Sequence, residues 1–396
     1  MEDYEAQEVE FWAKLEEEGL SRASMLRRSA AAAVGLTVLG NASTALGMAK
    51  AKAAAPPTRM TADAFQALVA AAKKEGHLNT IALPPDWANY GEALHVFPRK
   101  YGIGITNDNP DGSSAQENQA IVSLKGDNRA PDAVDVGESF AIQGTAQGLY
   151  APYFNLNYNT IPRALKNTHG YWMGDYWGAV SIGYNKSLVP NPPKSFKDLT
   201  KPEYKGQVAI NGSPLQSNSA VSVVIASALA NGGSLQDVTA GIDYWAALKK
   251  SGNYISVQTT PQTVASGQTP ISLDWDYNNL AYVTEFPAAN WGFTVPSDGV
   301  YGGYYAQAIN ANAPHPNAAR LWEEFLYSDQ GQIIWLKGGA HPARFADLVA
   351  RKVIPAAVLA KLPDAAIYNK VKFASLAQQA AAKALIAQQW PTKVGG

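Results

Sequence analysis

The sequence predicts an α/β fold in which two doubly wound units follow each other along the chain. Short apolar stretches alternate with helix-forming stretches, once before and once after about residue 175. This alternation is typical of a parallel sheet with helices on both faces. The length of 396 residues suits two domains or one large α/β unit, and a composition of 46% hydrophobic and 16% charged residues is that of a globular protein.

The elements of the first unit start with a helix over 61–76, for which Thr61 supplies an N-terminal cap and Gly76 a stop. After it the sequence predicts a strand over 78–83, a helix from about 89 with Pro98 near its end, a strand over 102–106, a helix that begins near Ser113, and a strand over 133–136. The second unit is predicted to contain strands over 179–184, 207–211, 254–257, 271–275, 292–295 and 305–309, and helices over 220–230, 239–250, 277–286, 317–326 and after 329.

Charge and residue types exclude several classes of function. The formal net charge is −1 and no basic stripe is present, so no nucleic-acid partner is expected. The absence of cysteine excludes disulfides, cysteine nucleophiles and zinc–thiolate sites. The chain holds 10 Trp and 19 Tyr but few charges, which favours a protein that handles small molecules.

Residues 1–55 differ from the rest and are predicted to be a signal peptide with an acidic N-terminal extension. Arg27 and Arg28 precede a mild apolar run over 30–46, and small residues follow it. Cleavage is expected between Ala45 and Ala55. The arginine pair favours the twin-arginine route, although an ordinary secretory signal explains the same pattern. The mature protein is therefore expected in the periplasm.

Two later blocks carry a family resemblance. "VSIGYNKSLVPNPPKSFKDLTKPEYKGQVAI" over 180–210 and "YYAQAINANAPHPNAARLWEEFLYSDQGQ" over 304–332 resemble the extracellular solute-binding proteins of ABC importers. The resemblance extends over about residues 60–390 and is nearest to the polyamine, ferric-iron, thiamine and aminophosphonate binders of that superfamily.

The resemblance implies a type II periplasmic binding protein, with two α/β lobes joined by hinge strands that close on a ligand. Lobe one would hold 56–176 and 308–343, and lobe two would hold 177–307 and 344–396. The expected partners are a small-molecule ligand and an inner-membrane ABC permease, and the protein is expected to be a monomer. No catalytic residue, metal or cofactor is predicted.

Ligand contacts are expected in the loops that follow the strands, because ligands of doubly wound sheets lie at the carboxyl ends of the strands. The candidate ligand-binding residues are acids, hydroxyls and aromatics: Asp86, Trp87, Ser113, Ser114, Glu138, Ser139, Ser213, Ser217, Asp274, Trp275, Tyr277 and Tyr305. Trp275 is predicted to form a wall of the cleft. Asp276 is predicted mainly to cap the helix that begins at Tyr277, with a ligand contact as the alternative.

These residue types point to two ligand chemistries. Aromatic faces and carboxylates suit an amine. Serines at helix starts suit an anion, although plain capping is their more common use. A ligand with both charges, such as an aminophosphonate or amino acid, would satisfy both, and a polyamine would satisfy the first.

Two alternatives remain at this point. Adjacent Tyr304 and Tyr305 allow a ferric-iron-binding protein of the same superfamily. Asp274 and Asp276, about 6.5 Å apart at Cα if both lie on a strand, allow an exported hydrolase with a carboxylate pair. The common hydrolase and phosphate-loop motifs are absent from the sequence.

Overall fold

The computed structural model of the protein describes residues 59–359 and 370–395, and these form a mixed β-sheet structure covered by helices. Thr58–Gly396 is one compact unit. The predicted signal peptide over 1–55 lies outside the described residues. Within the described part, every helix is too short or too polar to cross a bilayer.

Within residues 59–359 and 370–395 the structure contains eleven strands of two or more residues. They are β1 (His77–Ile81), β2 (Gly104–Asp108), β3 (Ala133–Gly137), β4 (Tyr150–Ala151), β5 (Met173–Asn185), β6 (Val208–Ile210), β7 (Tyr254–Gln258), β8 (Ile271–Trp275), β9 (Trp291–Thr294), β10 (Gly302–Asn310) and β11 (His341–Pro342).

The α-helices lie between and after these strands. They are α1 (Ala62–Glu75), α2 (Tyr90–Tyr101), α3 (Ser114–Ser123), α4 (Glu138–Ala146), α5 (Asn218–Ala230), α6 (Thr239–Ser251), α7 (Pro261–Ala265), α8 (Asp276–Glu285), α9 (Pro316–Leu326), α10 (Asp329–Lys337), α11 (Phe345–Ala350), α12 (Ala356–Leu359) and α13 (Leu376–Lys393).

Local sequence signals set several helix ends as predicted. The Thr61 side chain accepts a hydrogen bond from the Ala64 N–H at the start of α1. Gly76 ends that helix at φ 74°, a left-handed conformation that costs glycine little. Ser113 and Gln116 form a reciprocal capping box at the start of α3. These ends therefore follow from short-range chemistry.

The sheet order shows how the two predicted units are joined. A nine-stranded sheet has the order β3-β10-β5-β8-β6-β7, with β4, β9 and β11 attached beside it, and β1 and β2 form a separate parallel pair. β6 runs parallel to β7 and β8, whereas β10 is antiparallel to β3 and β5, and β5 is antiparallel to β8. The expected parallel arrangement is therefore only partial, because one strand leaves the first unit and another returns to it in the opposite direction.

Strand β5 is the long connection between the two units. Its first half pairs with β10, where Tyr176 is opposite Tyr305, and its second half pairs with β8, where Val180 is opposite Trp275. Gly178 sits at the change of partner. A Cβ there would lie 2.6 Å from the Tyr277 ring, so only glycine lets β5 pass beneath the start of α8.

Two elements differ from the prediction. Glu138, Ser139 and Phe140 were expected in a loop after the third strand, but α4 begins at Glu138 with no intervening loop. The crossing strand was predicted over 179–184 and extends over Met173–Asn185. Its first residues include two glycines and an aspartate, which weaken the strand signal, and burial between β10 and β11 overrides that weakness.

Candidate functional site

A cavity of about 300 Å³ lies at the ends of the strands. The loops after β1 and β2 form one side, and the loops after β6 and β7 form the other. The candidate residues that line it are Asp86, Trp87, Ser113, Ser114, Ser213, Ser217 and Tyr305. The structure thus brings together candidates that are up to 219 positions apart, from Asp86 to Tyr305.

The other candidates lie outside the lining. They are Glu138, Ser139, Asp274, Trp275 and Tyr277, and all of them are buried. Trp275, expected as a cleft wall, is 1% exposed and lies beneath the cavity. Its ring centroid is 6.2 Å from that of Tyr277 and 6.3 Å from that of Tyr305. Trp275 therefore does not form the expected wall of the cleft. It packs against Tyr305, which lines the cavity.

Trp87 and Tyr305 are the aromatic residues that reach the cavity from this cluster. Their ring centroids are 5.5 Å apart in an edge-to-face arrangement. The Trp87 indole N–H donates to the Tyr176 hydroxyl at 2.8 Å, which holds the ring in place. Edge-to-face packing is a favourable aromatic geometry. The result is a rigid aromatic surface beneath a small cavity.

Carboxylates dominate the charged groups of the cavity. Asp86, Asp111, Glu117 and Asp135 line it, and its lining within the described residues includes no lysine, arginine or histidine. Burial raises the pKa of Asp86, Glu117 and Asp135 above the ordinary values. A carboxyl group with a raised pKa gains most from a nearby cation, because the cation stabilises its ionised form.

Asp135 is the most constrained of these acids. Its Oδ2 accepts hydrogen bonds from the hydroxyls of Tyr90 at 2.7 Å and Tyr176 at 2.9 Å. Its backbone N–H donates to Glu117 Oε2 at 2.8 Å. Its Oδ1 is buried and has no hydrogen-bond partner in the part of the chain that the structure describes. Such an atom is costly unless a ligand or water satisfies it.

Asp274 shapes the cavity from behind. Its Oδ2 accepts from the side-chain amides of Asn211 at 2.9 Å and Asn278 at 3.1 Å, and both asparagines line the cavity. Each amide donates through its nitrogen, so its oxygen remains as an acceptor. Asp274 thus fixes the orientation of two side-chain amides that line the cavity.

Asp276 has a contact beyond the predicted one at the helix start. Helix α8 begins at Asp276 itself, and Trp275 occupies the cap position without a side-chain cap. The Asp276 Oδ1 accepts from the backbone N–H of Ala179 in β5 at 3.1 Å. The same Oδ1 also accepts from the Tyr277 N–H in the first turn of α8 at 2.9 Å. Asp276 therefore fastens the crossing strand and also satisfies one backbone N–H at the start of the helix. Asp274 and Asp276 face different neighbours, which gives no support to a catalytic carboxylate pair.

The serines at the helix starts divide into two groups. Ser113 caps α3, and the Ser114 hydroxyl accepts from the Gly137 N–H at 3.0 Å. The Ser217 hydroxyl donates to the Asn211 carbonyl at 2.8 Å, and no side chain caps α5. The more common capping role thus holds for α3, and the start of α5 remains open to the cavity.

Backbone conformation also marks this region. Ala82, Ala88, Asn89 and Asn109 have φ values of 57°, 47°, 67° and 41°. Non-glycine residues rarely adopt positive φ, and such strain tends to concentrate at functional sites. These four residues lie in the segments that follow β1 and β2, and Ala82 and Asn109 line the cavity.

Sequence reasoning did not propose several lining residues, notably Glu117, Asp135 and Asn211. One signal was available for Asp135, because it stands between Val134 and Val136 in an apolar strand. A carboxylate inside such a strand is expensive to bury without a partner. Glu117 has no comparable signal, since it lies in an ordinary helical pattern.

A family model described as bacterial extracellular solute-binding protein matches residues 131–378. A search among curated proteins finds no match.

Solved structures share the fold at low sequence identity. The periplasmic binding protein AfuA from Actinobacillus pleuropneumoniae, with fructose-6-phosphate bound, has a TM-score of 0.63 and 18% identity, over 80% of this chain and 98% of that one. A putative spermidine/putrescine ABC transporter from Listeria monocytogenes has a TM-score of 0.59 and 15% identity, over 80% of this chain and 99% of that one. Iron-bound HitA from Pseudomonas aeruginosa has a TM-score of 0.60 and 19% identity, over 78% of this chain and 97% of that one. The type II fold predicted from the sequence is confirmed.

Proposed function

Because the chain belongs to the bacterial extracellular solute-binding proteins, we propose that it captures a small amine-bearing or zwitterionic organic solute, of the polyamine or aminophosphonate class, in the cavity described above. As a solute-binding component of an ABC importer, it would deliver this solute to an inner-membrane permease. The family is one of binding proteins, and we propose capture without turnover.

The observation that carries the ligand class is the charge of the lining. Four carboxylates line the cavity, and no cationic side chain does so within the described residues. An ammonium group would form charge-assisted hydrogen bonds to these acids. The acceptor oxygens of Asn211 and Asn278, oriented by Asp274, add further sites for N–H donors. The ring of Trp87 or Tyr305 adds attraction of about 0.5–2 kcal/mol for a cation over its face.

Cavity size limits the ligand. A volume of about 300 Å³ lies at the lower end of the range of about 300–1,000 Å³ typical of small-molecule sites. A solute with a short carbon chain and one or two charged groups fits this volume better than a nucleotide or an oligosaccharide.

The solved structures do not select one ligand, since they include a fructose-6-phosphate-bound protein, a putative spermidine/putrescine transporter and an iron-bound protein. The acidic lining favours a cationic ligand over a sugar phosphate. Among the described residues, no three His, Cys, Asp or Glu side chains are grouped so that they could hold a metal ion, which favours an amine over iron. A phosphate dianion would meet four carboxylates and no lysine, arginine or histidine among the described lining residues.

A binding screen tests the proposal. Putrescine, spermidine and 4-aminobutyrate are compared with fructose 6-phosphate and ferric citrate by thermal shift and titration calorimetry. We expect at least one ammonium compound to raise the melting temperature, since a ligand at 100 times its Kd stabilises by about 2.7 kcal/mol. Asp86→Asn should weaken that binding, and Asp243→Asn, at an exposed surface carboxylate, should not.

The proposal fails if fructose 6-phosphate or ferric ion binds and no ammonium compound does. Loss of affinity in both aspartate variants would show that only the overall charge of the protein matters, and the assignment of the cavity would then be withdrawn.

We also propose export by the predicted signal peptide, with cleavage between Ala45 and Ala55 and the twin-arginine route. The mass of the protein recovered from the periplasm checks the cleavage site. Retention of Met1 in that protein would contradict it, and export of a variant with lysine at positions 27 and 28 would contradict the route.

A further inference from the structure

We propose that the ligand is a zwitterion whose acidic group is bound by Asn218 and the N-terminus of helix α5, while its ammonium group lies at Asp135. This inference rests on the proposed capture of an amine-bearing solute and narrows it to one class. It also makes Asn218 a residue that determines specificity.

The N-terminus of α5 faces the cavity without a cap. Helix α5 has 13 residues, and Ser217 stands at its cap position with no side-chain bond to the helix. The Ser217 hydroxyl instead donates a hydrogen bond to the Asn211 backbone carbonyl. The first N–H groups of an α-helix lack intrahelical acceptors, and the helix dipole adds partial positive charge there. An anionic group of the ligand would accept hydrogen bonds from these N–H groups and would interact favourably with the helix dipole.

Asn218 supplies the second, independent observation. It is 1% exposed and lines the cavity, yet neither its Oδ1 nor its Nδ2 has a hydrogen-bond partner within residues 59–359 and 370–395. A buried amide with both ends unsatisfied is rare in folded proteins. A zwitterion satisfies both ends, since its carboxylate accepts from Nδ2 and its ammonium group donates to Oδ1.

The unsatisfied carboxylate oxygen of Asp135 lies close to this amide. Asn218 packs against Gly137, where a Cβ would lie 2.0 Å from the Asn218 side chain. Asp135 and Gly137 are two positions apart on β3, so they share one face and their Cα atoms are about 6.5 Å apart. The donor and acceptor sites are therefore separated by a distance that a short amino acid spans.

A diamine does not satisfy this pair of sites. Its second ammonium group would face the Asn218 N–H donors and the positive end of α5, and both disfavour a cation. A simple carboxylic acid would leave Asp135 Oδ1 unsatisfied. The zwitterion is the class that meets both requirements.

Matched ligands test the inference. The affinities of 4-aminobutyrate, putrescine and butyrate are measured by titration calorimetry, together with ω-amino acids of two to six carbons and common α-amino acids, each beside its amine and its acid. We expect at least one zwitterion to bind at least tenfold more tightly than both of its single-charge counterparts.

Variants at one position separate recognition from folding. Asn218→Asp keeps the side-chain shape and places a favourable negative charge in the first turn of α5. We expect it to weaken binding of the zwitterion at least thirtyfold and to leave the affinity for putrescine equal or higher. Asn218→Ala should keep the melting temperature and lose the preference for the zwitterion. Ser375→Asp, at the capped start of α13 outside the cavity, adds the same charge and should change neither affinity.

Each outcome has a distinct meaning. Putrescine bound as tightly as the zwitterions would overturn this inference and leave the proposed function standing. An undiminished zwitterion affinity in Asn218→Asp would also overturn it. Absence of binding by every ammonium compound would overturn both.

Discussion

At the scale of single residues, Asp274 shows how a carboxylate influences a cavity that it does not line. It is fully buried and is held by the amides of Asn211 and Asn278 and by the Trp275 N–H. Burial outweighs these hydrogen bonds and raises its pKa to about 7. A proton on Asp274 would turn one acceptor into a donor, so its ionisation is coupled to the orientation of the two asparagines.

The raised pKa of Asp274 predicts that the free energy of unfolding depends on pH. An aspartate in the unfolded chain has a pKa near 3.9, so between about pH 4 and pH 7 the native state holds a proton that the unfolded state has lost. The stabilisation is complete below pH 4 and is lost as the pH rises through about 7. Relative to Asp274→Asn, the wild-type free energy of unfolding should fall by about 1 kcal/mol per pH unit between pH 5 and 7.

Urea unfolding of both proteins at several pH values measures this difference. Other buried carboxyl groups with raised pKa values, such as Asp135, Glu138 and Glu324, are present in both proteins and cancel in the comparison. Parallel pH profiles for the two proteins would mean that Asp274 keeps an ordinary pKa.

At the scale of elements, the junction of β5 with α8 joins the two halves of the sheet. Asp276 accepts from the Ala179 N–H, and Gly178 allows the close passage of the strand. Both contacts lie where β5 changes its partner from β10 to β8. Removal of either contact should therefore lower the free energy of unfolding more than it changes ligand affinity.

Asp276→Ala should lower the free energy of unfolding by about 2 kcal/mol, because it leaves a buried backbone N–H without its charged acceptor. Asp276→Asn should cost less, since an amide oxygen still accepts. Affinity for an ammonium ligand should change less than threefold in both variants. Denaturant unfolding beside calorimetry distinguishes the two effects. Asp243→Ala, which breaks a surface ion pair with Lys393, is the matched control and should change little.

A contrary pattern has a clear meaning. If Asp276→Asn unfolds like the wild type but no longer binds the ligand, then its carboxylate contacts the ligand, and the role in fastening β5 is secondary.

At the scale of the whole molecule, the cavity lies between segments from both predicted lobes, which the strands β5 and β10 connect. We propose that the lobes, over 56–176 with 308–343 and over 177–307 with 344–396, close on the ligand by a hinge motion at these strands. A contact across the cavity is already present, since the Ala115 N–H donates to the Gln216 carbonyl at 3.4 Å.

Small-angle scattering tests this closure. Addition of a saturating ammonium ligand should reduce the radius of gyration toward about 20 Å, the value expected for a compact chain of this length. Asp135→Asn, which lacks the proposed ammonium contact, should show no contraction at the same ligand concentration. An unchanged radius for the wild-type protein at saturation would exclude the hinge mechanism.

The sequence alone determined the α/β class, most of the element order and the family. These features rest on local signals, such as the cap at Thr61, the stop at Gly76 and the motifs over 180–210 and 304–332. It also indicated the loops from which Asp86, Trp87 and Ser217 reach the cavity.

Only the tertiary structure decided which side chains line the cavity. Strands β3 and β8 are buried along their whole length, so their residues show no alternation that would reveal which face meets the cavity. Contacts with distant parts of the chain therefore place Asp135 in the lining of the cavity and Trp275 against Tyr305 outside it. Asn218 acquired its role because β3 brings Gly137 against it, and no local pattern in the sequence encodes that contact.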